Sequence, residues 1–304
     1  MTLTLAWIRT VGSSEELVVA SDSRLTGNGT FDGCPKLMGL PRGDCFLGFA
    51  GDIGLALPFM QHVSNAMSLH RASLNRSLDL EAARGHILRI IQSIESSWID
   101  RPEDGRADVE LLFGGYSWRT EEFALWKFVF DPTAQKFIHK RIRPWRRVAD
   151  KWIAVAAHPR VTNGDIRRMR KAGQSAVRPE FDLETEAKRR LVRVLKESGR
   201  WNDAGLDMEP FEVLRDMLRE RLPHIGGPPQ VLKLYKSLTV QPIATYWPDR
   251  KSGMVNLLGR QLLHYEELDV PVMDPDDPRT PSALRDQVRR TMSEPSTTTV
   301  PKVV

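Results

Sequence analysis

Leu17-Val18-Val19-Ala20-Ser21-Asp22-Ser23-Arg24 is an apolar run that stops abruptly on a carboxylate. Its first five residues read as a buried strand, and Asp22-Ser23 closes it. Upstream, Val11-Gly12-Ser13-Ser14-Glu15-Glu16 has turn composition, and residues 2–10 (TLTLAWIRT) read as a second strand. Residues 2–21 therefore predict a hairpin. Downstream, a loop rich in Gly and Asn leads to Lys36-Leu37-Met38-Gly39-Leu40, a short strand, and Pro41-Arg42-Gly43-Asp44 turns the chain. Cys45-Phe46-Leu47-Gly48-Phe49-Ala50 is then a buried-type strand ending on Gly51-Asp52.

Two helices are predicted next, over 54–74 and 79–98. The second carries a broad apolar stripe from Leu80 to Trp98, with Asp79 as N-cap. Strands follow at 108–116, 122–130, 136–143 and 151–156. Helices are expected at 163–172 and 183–197, with Asn163 and Asp182 as caps, and at 210–222, with Pro210 early and Pro223 beyond its end. Three strands, 230–237, 240–247 and 253–264, end the pass. Nothing alternates βαβ, so a doubly wound parallel sheet is not expected. Two strand blocks, each followed by its own helices, predict an α+β fold of two mainly antiparallel sheets with helices outside. One domain is expected over 1–270, with extra helical material around 160–225. Residues 271–304, rich in Asp, Pro, Ser and Thr, read as a polar, flexible tail with one short helix at 282–292.

The chain has 304 residues, 41 % apolar and 27 % charged, with a formal net charge of +5. That composition excludes a mostly disordered chain. No apolar run reaches the roughly 18 residues that span a bilayer. The start, MTLTLAWIRT, has no basic region ahead of an apolar stretch, so no secretory signal is read there. The only cysteines, Cys34 and Cys45, suit a reducing, cytoplasmic setting. The charge is uneven: residues 136–200 hold 19 Lys+Arg against 7 Asp+Glu, leaving the rest net acidic. Solvated helix faces explain such a block most simply. A nucleic-acid surface is the alternative, built on Arg141, Arg143, Arg146, Arg147, Arg167, Arg168, Arg170, Arg189 and Arg190, with Trp145 and Trp152 to stack on bases. No RRM, KH or zinc-finger signature supports it.

The sequence holds no Walker loop, GxGxxG, HExxH, GxSxG or CxxC, and its seven histidines lack metal-ligand spacing. No cofactor or metal is expected. What remains is Thr2, directly after Met1. Once Met1 is removed, a threonine there unites a hydroxyl nucleophile with an α-amine base, whose unperturbed pKa is roughly 7.7–8.0.

The order of Thr2 opening the first strand, Asp22 closing the second, Lys36 opening the third and Gly51 in a Gly48-Phe49-Ala50-Gly51-Asp52 turn resembles the proteasome-type N-terminal nucleophile (Ntn) hydrolases. These include proteasome β subunits and the bacterial ATP-dependent proteasome-like threonine peptidase. Element order is similar over residues 2–268, and motifs over about 2–75. The resemblance implies a four-layer αββα sandwich of two mainly antiparallel sheets. It implies Thr2 as nucleophile and base, Lys36 as a positive charge lowering the effective pKa at Thr2, Asp22 as its partner, and the Gly51 N–H at the oxyanion. It implies peptide or protein substrates, a ring-type homo-oligomer in the cytoplasm and, as partner, an ATP-dependent unfoldase; no membrane is involved. Three places depart from the family's polar pattern: Ala156 or Ala157 stands for a serine, and Leu222 and Ile225 stand for an aspartate and a serine before Gly226-Gly227. Those departures support an alternative, a catalytically inactive scaffold or regulatory subunit on the same fold.

Overall fold

The computed structural model describes residues 2–26, 29–99, 108–142, 153–158, 183–203, 205–222, 225–267 and 269–283. The chain is a mixed α+β protein. Strands β1 (Thr2–Val11) and β2 (Ser14–Ser21) form the expected hairpin, with Thr4 opposite Ser21. It is flanked by β10 (Ile153–His158) on one side and β11 (Gln230–Tyr235) on the other. That sheet continues through β12 (Thr239–Tyr246), β13 (Val255–Leu257) and β14 (Arg260–Gln261). The second sheet runs β5 (Leu37–Gly39), β6 (Cys45–Gly51), β7 (Val109–Ser117), β8 (Glu122–Asp131) and β9 (Lys136–Arg141), all antiparallel.

The helices are α1 (Ile53–Leu69), α2 (Arg71–Leu74), α3 (Leu80–Glu95), α4 (Leu183–Glu197) and α5 (Glu209–Arg219). Asp52 and Asp79 cap α1 and α3 through Gly54 N–H and Glu81 N–H. On α4 the buried residues Leu183, Ala187, Leu191 and Leu195 recur every fourth position, one stripe facing inward.

Side-chain alternation along β1 explains how the parts pack. Leu3, Leu5 and Trp7 point to one face, where they meet Leu191 of α4 and Phe211 and Leu214 of α5. Ala6 points to the other, into a cluster with Phe46, Leu112, Leu125 and Leu232 drawn from both sheets. A third cluster joins Leu47, Phe49, Phe113 and Trp126 to Phe59 of α1 and Ile87 of α3. The apolar runs FLGFAG and ELLFGGY are thus covered on both faces.

Several elements differ from the sequence reading. The helix expected over 54–74 breaks at His70, whose backbone is extended, giving α1 and α2. The Gly- and Asn-containing loop holds a small hairpin, β3 (Arg24–Thr26) with β4 (Thr30–Asp32). The strand over 253–264 is two short strands, because Leu258 and Gly259 take positive φ and turn the chain. The tail does not start at 271: β15 (Pro271–Asp274) runs parallel to β12 and pairs with β16 (Asp277–Ala283). Val272 and Met273 are buried there, and no apolar periodicity in the sequence announced so short a hairpin. The proposed helix 163–172 and the Asn163 and Asp182 caps lie outside the described residues, as does helix 282–292 apart from its first two positions, which belong to β16. Among the described residues, no helix is long and apolar enough to cross a membrane.

Candidate functional site

The end of β2 and the start of β5 meet where the two sheets come together. Asp22 follows β2 directly and is fully buried. Lys36 precedes β5 and is equally buried. Lys36 Nζ lies 2.9 Å from both Asp22 carboxylate oxygens. A buried charge needs a partner and full hydrogen bonding, and Asp22 has both. Its Oδ1 accepts from Leu3 N–H (3.0 Å), and its Oδ2 from Arg24 N–H (3.1 Å) and Gly226 N–H (3.4 Å). Four segments of the chain therefore converge on one carboxylate.

Thr2 opens β1 and is buried, opposite His158 of β10 in register. Its own peptide link to Leu3 supplies the N–H that Asp22 accepts, so the strand start is fixed on the ion pair. Two residues on, Thr4 Oγ1 and Ser21 Oγ are 2.7 Å apart.

Gly51 ends β6 and stands further off. Two residues earlier on the same strand, Phe49 N–H donates to Lys36 C=O at 3.2 Å. The φ of Gly51 is +115°, and a Cβ there would lie 2.2 Å from Asp108 O and 2.9 Å from Val109 Cα. Only glycine fits that turn from strand into the capped start of α1.

The sequence reading missed Gln230. This buried first residue of β11 accepts Lys36 N–H (2.9 Å) and Leu37 N–H (3.2 Å) on Oε1. Its Nε2 donates to Asp22 C=O (3.1 Å) and Cys34 C=O (2.7 Å). One amide thus ties both ends of the ion pair to the large sheet. Its only signal in the sequence is a polar residue heading the run Gln230-Val231-Leu232-Lys233-Leu234. Ser23 was missed too: its N–H donates to Gly226 C=O at 2.9 Å, and its hydroxyl to Pro228 C=O.

The departing positions sit close by. Ala157 and Ala156 lie opposite Leu3 and Thr4. Ile225 is fully buried in the core beneath α4 and α5, and Leu222 packs partly against it. The polar contact at this end comes from the Gly226 backbone instead.

Both cysteines are free and buried. Burial pushes the Cys34 thiol up to about 11, and it holds Cys45 well above the usual thiol range. Among the described residues, no group of three or more His, Cys, Asp or Glu could hold a metal ion.

The basic block is described only in part. Arg189 and Arg190 share Glu186, Arg190 also reaches Glu220 at 2.9 Å, and Glu186 is held near 2 by hydrogen bonds from Arg189 and Arg190 despite burial. Arg141 lies within 4.0 Å of Glu81 and Glu122. Arg143, Trp145, Arg146, Arg147, Trp152, Arg167, Arg168 and Arg170 lie outside the described residues. No protein-family model matches this chain, and no curated protein matches it in sequence.

Proposed function

We propose that this chain is a threonine-type N-terminal nucleophile hydrolase that cleaves peptide or other amide bonds after removal of Met1. The observation that carries the reading is the buried Asp22–Lys36 pair, whose carboxylate also grips the Leu3 N–H beside Thr2. The three core clusters, two between helices and a sheet and one between sheets, support the finer fold reading of a four-layer αββα sandwich of the Ntn type.

In this reading Thr2 Oγ attacks the substrate carbonyl and the freed α-amine accepts its proton. The ammonium of Lys36 favours the negative charge that develops on Oγ, and Asp22 holds that ammonium in place. The Gly51 turn supplies a backbone N–H to the carbonyl oxygen. Collapse of the tetrahedral intermediate breaks the C–N bond, and the leaving amine takes the proton from the α-ammonium. Water, deprotonated by the same amine, then hydrolyses the ester and restores Thr2. These steps use residues of the chain alone. A cytoplasmic, ring-type homo-oligomer served by an ATP-dependent unfoldase belongs to the same proposal.

Intact mass tests the first requirement, because a chain that keeps Met1 has no threonine amine. Hydrolysis of a peptide panel tests the second: Thr2→Ala is expected to lose all turnover, and equal turnover by Thr2→Ala sinks the reading. A second reading, an inactive scaffold or regulatory subunit, is favoured by Ala156 or Ala157, Leu222 and Ile225, apolar residues at the positions where the resembling family carries polar ones. Met1 removal without any labelling of Thr2 by N-terminal-threonine-directed electrophiles would select it.

A further inference from the structure

Beside the Asp22–Lys36 pair lies an open cleft of about 480 Å³ that the chemistry above does not use. Its floor is apolar, made by Leu218, Trp247 and Pro248. Among the described residues, its walls carry three arginines, Arg24, Arg219 and Arg221, against one lining carboxylate, Asp32. What each arginine already holds decides what the cleft can bind.

Arg24 is spoken for. Its Nε and Nη2 each lie 2.7 Å from an Asp32 oxygen. Its guanidinium rests on Gly226, where an added Cβ would come within 2.4 Å of Cζ. Arg219 is engaged as well, with Asp276 at 2.6 and 3.0 Å and Pro248 C=O at 2.8 Å, and it lies over the Trp247 ring at 5.8 Å. Arg221 is different. It is exposed, it follows α5 at φ +54°, and among the described residues no carboxylate pairs with it. The C-terminal carbonyls of α5 would by themselves repel an anion, and the uncompensated Arg221 guanidinium opposes that effect.

A guanidinium with no acid of its own, at the mouth of an apolar cleft, is a receptor for an oxyanion on an apolar body. The cleft also adjoins the candidate site. Gly226 N–H and Leu3 N–H bind opposite oxygens of Asp22, so the cleft wall and the start of β1 are separated by the span of one carboxylate.

We propose that this cleft is a substrate-selecting subsite for peptides bearing an oxyanion, with Arg221 as the ion-pairing residue and Trp247 and Leu218 as the apolar floor. The word "substrate" rests on the hydrolase reading; binding in the cleft does not. The oxyanion can be an internal acidic side chain or a C-terminal carboxylate, and the probes separate the two.

The test uses fluorescent peptides and the full chain as Thr2→Ala, so that binding is read without turnover. One peptide is C-terminally amidated with an internal Glu beside Leu, one is its Gln counterpart, and one is the Gln peptide with a free carboxylate. An oxyanion-bearing peptide is expected to bind about tenfold tighter than the amidated Gln peptide, and added salt should shrink the gap. Arg221→Ala should erase the preference and Arg221→Glu reverse it; both substitutions fall on an exposed side chain, and circular dichroism checks the fold. No binding, equal binding of all three peptides, or a preference that survives Arg221→Ala overturns the proposal. Turnover by the unmutated chain is read separately. Selective binding without hydrolysis keeps the subsite and sinks the enzyme; hydrolysis blind to charge does the opposite.

Discussion

Two ion pairs among the described residues are fully buried, and they are built in opposite ways. Arg42 and Asp44 are two residues apart and meet as a fork, Nε–Oδ1 2.6 Å and Nη2–Oδ2 2.8 Å. Arg42 also donates to Leu78 C=O, so the pair pins the turn before β6 to the loop before α3. Burial works against the Arg42 charge, but the hydrogen bonds and charge of Asp44 outweigh it and raise its pKa. Asp22 and Lys36 are fourteen residues apart and join the two sheets. The first pair is a local staple in which a rigid guanidinium suits a fixed geometry. The second is a compact ammonium on a carboxylate that also fixes the first strand. Equal burial therefore does not mean equal role: the difference lies in what else each carboxylate holds.

The sharpest way to break that contrast is to remove the cation from each pair. Lys36→Met and Arg42→Met each strand a buried carboxylate, at an expected cost of about 3–5 kcal/mol. Chemical denaturation measures both losses, at low temperature where a destabilised chain still folds. Hydrolysis per folded molecule should fall to background in Lys36→Met and stay unchanged in Arg42→Met. Equal loss of activity in both would erase the distinction between staple and site.

A matched pair of glycines offers a second comparison. Gly51 and Gly115 both face backbone oxygens, of Asp108 and Asp44, where a Cβ would stand 2.2 and 2.3 Å away. Alanine at either should cost on the order of 2–3 kcal/mol through backbone displacement. Gly51 also carries φ +115°, so Gly51→Ala should be the worse of the two. Only Gly51→Ala is expected to reduce turnover beyond what its loss of stability explains. Thermal melts alongside kinetics decide it.

Gln230 is the next link to cut. Gln230→Ala leaves the Lys36 and Leu37 N–H groups without their acceptor, at roughly 1–3 kcal/mol for a buried unsatisfied group. Gln230→Glu restores an acceptor but removes the donor to Cys34 C=O and Asp22 C=O. It is expected to recover part of the stability, and a Glu variant no better than Ala would show that the donor half of the amide matters more.

How much of this was legible in the sequence follows from range. The hairpin of residues 2–21, the strands on either side of Arg42 and the stripes of α3 and α4 are written in local alternation or 3.6-residue spacing, so periodicity finds them. Asp22 and Lys36 were visible as charged residues at the ends of apolar runs. Gln230 was not, because its partners lie nearly two hundred residues away and a polar residue at a strand start has many ordinary explanations. The β3–β4 hairpin is closed by the Arg24–Asp32 fork, and β15–β16 is held by pairing to β12. Neither depends on an apolar pattern. Leu222 and Ile225 read as lost polar groups in one dimension; in three, Ile225 is simply core.

The smallest expected effect separates the two regions by pH. His86 on α3 and His139 on β9 both lie on the side of the molecule that the Arg42 staple serves. Burial lowers the pKa of each, helped at His86 by His70, whose ring is 5.1 Å away, and by Arg89, and at His139 by Arg84. In the unfolded chain both return to about 6.5. Below that value the unfolded state takes up protons that the folded state declines, so stability falls with pH until the folded pKa values are passed. At neutral pH and above, both states hold neutral histidine and the contribution vanishes. Denaturation midpoints of the double variant His86→Gln/His139→Gln, followed from about pH 7 to 5, should decline less steeply than those of the parent chain. The pH profile of hydrolysis, governed in the proposed mechanism by the Thr2 amine, should not move. A parallel shift of the activity profile would tie the staple side to the site, and an unchanged stability slope would remove the histidines as its titrating groups.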